Sequence, residues 1–128
     1  MVSPNKPHVL FVDDEESIRL TLPKIFGKHG FHVKAVSSVP HALSEINDRR
    51  FDVLLSDLNI NDEADGLLVI ASMRVSQPQC RNFVLTGYPS FETAQQGIRQ
   101  SIDGYFTKPA DVDDIVSEIK AKLDRHKT

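Results

Sequence analysis

The chain of 128 residues predicts an open α/β fold, a parallel β-sheet with helices packed on both faces. Two observations carry that expectation. Five short apolar runs are spread along the chain, and each is followed by a segment whose apolar residues recur at helical spacing. The runs are also nearly continuous in their apolarity. Strands buried on both faces of a parallel sheet read that way, whereas a half-solvated antiparallel strand alternates. A strand–helix order repeated five times implies crossovers of one hand and a sheet covered on both sides.

The elements follow in order. HVLFV (8–12) is the first expected strand. A helix comes next, with Ile18, Leu22, Ile25 and Phe26 on one face. Pro23 falls inside that helix, where an interior proline costs about 3 kcal/mol or bends the axis. The apolar face continues to Phe26, so the helix is retained with a bend expected near Leu20 to Leu22. FHVKAV (31–36) is the second strand. The helix after it carries Ala42, Leu43 and Ile46, with Ser38 as N-cap and Pro40 just inside. FDVLLS (51–56) is the third strand, with Leu67, Ile70 and Ala71 on its helix. RNFVLT (81–86) is the fourth, followed by a helix over Ser90 to Gln100 bearing Phe91, Ala94 and Ile98. IDGYFT (102–107) is the fifth. Asp111 then opens the last helix, whose stripe of Val112, Ile115, Val116, Ile119 and Leu123 is the cleanest in the chain. Gly30 and Gly66 are placed in connections. No linker or low-complexity tract interrupts the pattern, so residues 1–128 read as one domain with a core of about 6–122.

Composition excludes several classes. A net charge of −3 with no Lys/Arg block argues against direct nucleic-acid binding. The single cysteine, Cys80, cannot form an internal disulfide and fits a reducing cytoplasm. The first residues, MVSPNKPH, lack the apolar segment of a signal peptide. No apolar run approaches the roughly 18 residues of a membrane span.

The stretch FVDDEE (11–16) sets four carboxylates directly after a buried-type strand. Glu15 and Glu16 suit the positive end of the following helix. Asp13 and Asp14, at the strand tip, need another reason. In open α/β sheets, ligands bind beyond the carboxyl ends of the strands. Strand one ends in Asp13 and Asp14, strand three in Asp57, strand four in Thr86, and strand five in Lys108 before Pro109. At about 4 Å one carboxylate pair repels by on the order of 4 kcal/mol at an effective dielectric near 20. A divalent cation resolves that repulsion. An all-oxygen, partly hydrated site suits Mg²⁺, with Mn²⁺ as the alternative.

These segments, FVDDEESIR, LLSDLNI, VLTGYP and YFTKP in that order, make the chain resemble the receiver domain of two-component response regulators over about Lys6 to Lys122. Each segment alone is common, and the combination at four strand ends is what carries the resemblance. The resemblance implies a flavodoxin-like sheet of order 2-1-3-4-5. It implies Asp57 as phosphoacceptor, with Mg²⁺ held by Asp13, Asp14, Asp57 and the backbone carbonyl of Asn59. It implies Thr86 and Lys108 as phosphoryl-binding groups, Tyr105 as the switch aromatic, and a cis bond before Pro109. Asn59 and Tyr88 occupy positions that tune the phosphorylated lifetime. The implied partners are a sensor histidine kinase or a histidine phosphotransfer domain, and then a downstream effector or an output domain beyond Thr128. The implied molecule is a cytoplasmic monomer, or a phosphorylation-dependent dimer through the helix over Ser90 to Gln100, the fifth strand and the last helix. It catalyses only its own phosphorylation and slow dephosphorylation.

Three features depart from the family pattern. The segment NINDEADG (59–66) is acidic and lacks the usual proline, which suggests a longer or looser loop. Tyr88 is bulky for its position, and Pro23 is unusual. Rival classes fit less well. A haloacid-dehalogenase-type phosphatase needs an acid two residues after its nucleophile, where Asn59 stands. A flavodoxin-like electron carrier needs a phosphate loop where DDEE would repel the cofactor. A degenerate receiver acting only in protein interaction has no use for the intact Asp13, Asp14, Asp57 and Lys108 set.

Overall fold

The computed structural model describes residues 6–62, 64–87 and 102–127. Its elements are β1 (His8–Val12), α1 (Glu16–Lys28), β2 (His32–Val36), α2 (Val39–Asp48), β3 (Val53–Ser56), α3 (Gly66–Ser76), β4 (Arg81–Thr86), β5 (Gly104–Thr107) and α4 (Val112–Lys127). The helix expected over Ser90 to Gln100, its Ser90 cap and Tyr88 lie outside the described residues.

The five strands form one parallel sheet in the order β2-β1-β3-β4-β5. The strand order reverses between β1 and β3, so the fold's switch point lies at the tips of those two strands. Alternate strand residues serve opposite faces. Leu10, Val12, Leu54 and Val84 pack with Ala42, Ile46, Val69, Ile70 and Met73 under α2 and α3. Val9, Phe11, Val53, Leu55, Phe83 and Leu85 pack with Leu22, Phe26, Ile115, Val116 and Ile119 under α1 and α4. Each such Val, Leu, Ile, Phe or Met side chain contributes about 1.5–3 kcal/mol by leaving water. Burial on both faces of β1, β3 and β4 explains why those runs show no polar alternation.

Local signals decide the boundaries. Ser38 caps α2, its hydroxyl oxygen accepting from the His41 amide at 3.3 Å. Asp111 precedes α4, and its carboxylate accepts from the Asp113 amide at 2.8 Å. Gly30 turns the chain into β2 with φ of +89°, a conformation costly for other residues. Pro23 lies within α1, which runs unbroken through it because Leu22 and Phe26 on either side are fully buried. At the far end of α1, His29 Nε2 meets Asp113 Oδ1 at 3.0 Å and ties that helix to the start of α4.

The connection from β3 to α3 is not loose among its described residues. The Asp65 carboxylate accepts from the amides of Ile60 at 2.7 Å and of Asn61 and Asp62 at 3.1 Å. Asn59 Oδ1 accepts from the Ala64 amide at 2.7 Å. Acidic and amide side chains here substitute for proline by holding the turn with hydrogen bonds.

Candidate functional site

The sheet delivers its chemistry to one edge. Asp13 follows β1, with its amide bonded to Val36 at 3.1 Å. Asp57 follows β3, with its amide on Val12 at 2.9 Å. Lys108 follows β5, its amide donating to the Thr86 carbonyl at 2.8 Å. The ladder therefore continues one residue past each strand and fixes these backbones. The peptide bond between Lys108 and Pro109 is cis.

Carboxylate oxygens of Asp13, Asp14 and Asp57 all lie within 4.8 Å of one another. Asp13 is fully buried, Asp57 is 6% exposed, and Asp14 is open to solvent. Lys108 Nζ reaches between them, 2.7 Å from Asp13 Oδ2 and 3.2 Å from Asp57 Oδ2. The other oxygens of the two buried acids are held by amides, Asp13 Oδ1 by Glu15 at 2.9 Å and Asp57 Oδ1 by Asn59 at 3.1 Å. A groove continues from this cluster along α1 and α4, past Ile18, Thr21, Leu22, Pro109 and Val112.

The electrostatics are unbalanced. Burial pushes the Asp13 carboxyl above its ordinary range, although Lys108 and the Glu15 amide pull it down. Burial alone would lower the Lys108 ammonium, but its bond to Asp13 and the charges of Asp13 and Asp57 outweigh that and raise it. Among the described residues, three carboxylates share the Lys108 ammonium, and the Arg19 guanidinium reaches only the Asp13 carbonyl, so the cluster is left short of positive charge. A hard divalent cation matches that deficit, and an all-carboxylate donor set with one member in solvent suits an ion that retains water. The residues present thus fit the expected metal.

The remaining expected residues take distinct places. Thr86 ends β4 and is fully buried. Asn59 lies beside Asp57, its amide bonded to that carboxylate and its side chain folded back onto the loop. Tyr105 stands apart from the acidic cluster. It lies on β5 opposite Val84, half-buried against the core under α2 and α3. Tyr88 falls outside the described residues.

Two supporting residues have no signal in the sequence, and a third, Gly66, is expected only as part of a connection. Ser56 Oγ donates to the Asp57 carbonyl at 2.9 Å, and both residues are buried. Arg19 Nη1 donates to the Asp13 carbonyl at 3.0 Å. Gly66 lies so close to the Asp57 backbone that a Cβ there would overlap the Asp57 carbonyl oxygen and lie 2.9 Å from Leu58 Cα. The Asp65-Gly66 pair marks the turn in the sequence but not this close approach to Asp57.

Fold and site together define a doubly wound α/β domain with an acidic, lysine-bridged centre at its switch point. The chain belongs to the response regulator receiver domain family, whose model matches residues 9–120. The photosynthetic apparatus regulatory protein RegA of Rhodobacter capsulatus is 31% identical over 114 residues, covering 89% of this chain and 61% of RegA. The chain thus spans about three-fifths of that curated relative. A CheY-like receiver domain from Methanospirillum hungatei JF-1 superposes with a TM-score of 0.89 at 25% identity, covering 96% of this chain and 98% of the other. A response regulator from Burkholderia pseudomallei, solved with a phosphorylated aspartic acid, calcium ion and citrate, has a TM-score of 0.78 at 30% identity. That match covers 96% of this chain and 76% of the other. The chain is thus a receiver domain of the kind found in two-component response regulators. Among the described residues, no helix is long and apolar enough to cross a membrane.

Proposed function

We propose that Asp57 accepts a phosphoryl group from the phosphohistidine of a sensor kinase or phosphotransfer protein, and that the product changes the surface offered to an effector. The observation that carries this reading is the convergence of Asp13, Asp14 and Lys108 around Asp57 at the switch point. A carboxylate oxygen of Asp57 attacks phosphorus, the phosphorus–nitrogen bond breaks, and imidazole leaves with the electron pair. An acyl phosphate results.

Asp13, Asp14 and Asp57, with the Asn59 carbonyl, would hold Mg²⁺ or, in its place, Mn²⁺. When bound, the ion supplies charge neutralisation for the transferring phosphoryl oxygens. Lys108 contributes a second positive charge from the β5 side, and its flexible stem lets it pass from Asp13 to a phosphoryl oxygen. Thr86 supplies a hydroxyl for the same group. The phosphorylated aspartic acid and calcium ion of the Burkholderia regulator support the reading, because calcium is likewise a hard ion taken by oxygen ligands.

The test is incubation with acetyl phosphate and Mg²⁺, followed by intact mass measurement. The wild-type chain gains one alkali-labile phosphate, and Asp57→Asn gains none. An equal gain by Asp57→Asn would move the acceptor elsewhere.

A further inference from the structure

At the opposite end of the sheet from Asp57, His8 opens β1 and His32 opens β2. The two residues are direct register partners on neighbouring parallel strands, so their side chains leave the same face. Their rings lie nearly parallel, 10° apart, with centroids separated by 5.1 Å. The pairing is fixed by the backbone: the His32 amide donates to the Pro7 carbonyl at 2.9 Å, and the His8 amide donates to Asp52 Oδ2 at 2.8 Å. His32 is exposed and His8 half-buried at the sheet's margin. Neither belongs to the proposed phosphoacceptor site, which lies about 16 Å away along β1 at the rise of an extended strand.

We infer that His8 and His32 form a two-point binding site for a borderline transition-metal ion, zinc(II) in the first instance. Two imidazoles bound side by side on a tetrahedral zinc, each at about 2.0–2.1 Å, have ring centres about 5 Å apart. The register already brings the two rings within that span, but they are stacked, so sharing one ion requires both side chains to rotate until a nitrogen of each points at it, with the strands left in place. Asp52, on the other side of His8, adds a negative charge to a site that receives a cation. Lys34 is the opposing charge on the same strand face, and its four-carbon stem can carry the ammonium into solvent.

Donor chemistry separates this site from the acidic one. Imidazole nitrogens select zinc, copper and nickel, whereas the oxygens of Asp13, Asp14 and Asp57 select magnesium and calcium. Two protein ligands leave coordination positions for water, which makes the site open and exchangeable rather than structural. A bound ion would clamp the edge strand β2 to β1.

The experiment is zinc titration of the full chain in saturating Mg²⁺, which keeps the acidic site filled, with the histidine ring nitrogens followed by NMR. The expected result is concerted movement of the His8 and His32 signals, saturating at one zinc per chain, while His29 and His41 stay in place. His32→Gln and, separately, His8→Gln weaken binding by at least about tenfold, the smallest loss typical even of an outer-shell partner. Zinc-free melting curves of the variants match wild type if only a ligand is lost. Signals that move at only one of the two histidines or at any other, or undiminished affinity in both variants, would overturn the site.

Discussion

Asp13 is the residue where stability and the proposed metal site oppose each other. Its carboxylate is completely buried, and burial dominates its environment, so its carboxyl holds a proton more tightly in the fold than the ordinary value of 3.8 allows. An acid whose pKa rises on folding makes the native state bind more protons than the unfolded chain. Stability then falls as pH increases through the window from 3.8 up to the raised value. At neutral pH the ionised group therefore costs stability until a cation offsets it. Asp13→Asn keeps the shape and an acceptor for the Glu15 amide while deleting the charge. In EDTA at pH 7 this variant is expected to be more stable by about 1 kcal/mol, the usual gain when a functional strain is removed. That corresponds to a melting midpoint about 3–5 °C higher for a chain of this size. With Mg²⁺ added, wild type should gain stability and the variant should not. A lower midpoint for the metal-free variant would show that the Lys108 pair outweighs the burial of Asp13. Lys108 obeys the opposite end of the scale. Its raised pKa contributes stability that is complete below 10.5 and disappears as pH climbs through the folded value.

At the scale of elements, one buried amide does the work of a connector. Gln77 ends α3, and its side chain is 7% exposed. Its Oε1 accepts from the Phe51 amide at 2.8 Å, and its Nε2 donates to the carbonyls of Ile46 at 3.0 Å and Arg49 at 2.6 Å. Three backbone groups, one near the end of α2 and two in the turn that leads to β3, are thereby satisfied by one residue from beyond a third element. Gln77→Leu would leave them without that partner, at about 1–3 kcal/mol for each one kept from water. Water reaches the exposed Arg49 turn, so the expected total is about 2–3 kcal/mol, or a midpoint lower by about 10 °C. A change within about 2 °C on thermal melting would show that water replaces the amide at no cost.

The same residue shows what could be read beforehand. The strands were legible because β1, β3 and β4 are buried on both faces and so lack polar interruptions. Ser38 and Asp111 announced their helices because a cap acts on amides two or three residues away. The acidic cluster was legible because each member ends a strand. Gln77 was invisible because its partners lie 26 to 31 residues earlier. The missing proline in segment 59–66 suggests a longer or looser loop, yet Asp65 and Asn59 hold its described residues through side-chain bonds that composition does not reveal.

Across the whole molecule, the proposed function raises the question of how a phosphoryl group on Asp57 would alter a distant face. Among the described residues, the β4–β5 pair is placed to act as a lever. Thr86 and Thr107 are register partners, the Lys108 amide bonds the Thr86 carbonyl at 2.8 Å, and Tyr105 lies on β5 three residues before Lys108, which follows that strand. A phosphoryl group on Asp57 would draw both the Thr86 hydroxyl and the Lys108 ammonium toward it, and Tyr105, half-buried against the core under α2 and α3, is placed to repack in response. The energies limit this device. Moving a population from 1:99 to 99:1 takes about 5.5 kcal/mol of differential affinity. One charge-assisted hydrogen bond supplies about 1.5–3 kcal/mol. Thr86 alone therefore cannot throw the switch, and the Lys108 pair and the repacking of Tyr105 must supply the remainder or leave the shift partial. Beryllofluoride, which mimics the phosphoryl group, gives the test by amide chemical-shift mapping of wild type and Thr86→Ala. Wild type should respond from Thr86 through β5 to Lys108. The variant should respond near Asp57 and Lys108 but much less around Tyr105. Matching maps for the two proteins would mean that the signal reaches the surface without passing through Thr86.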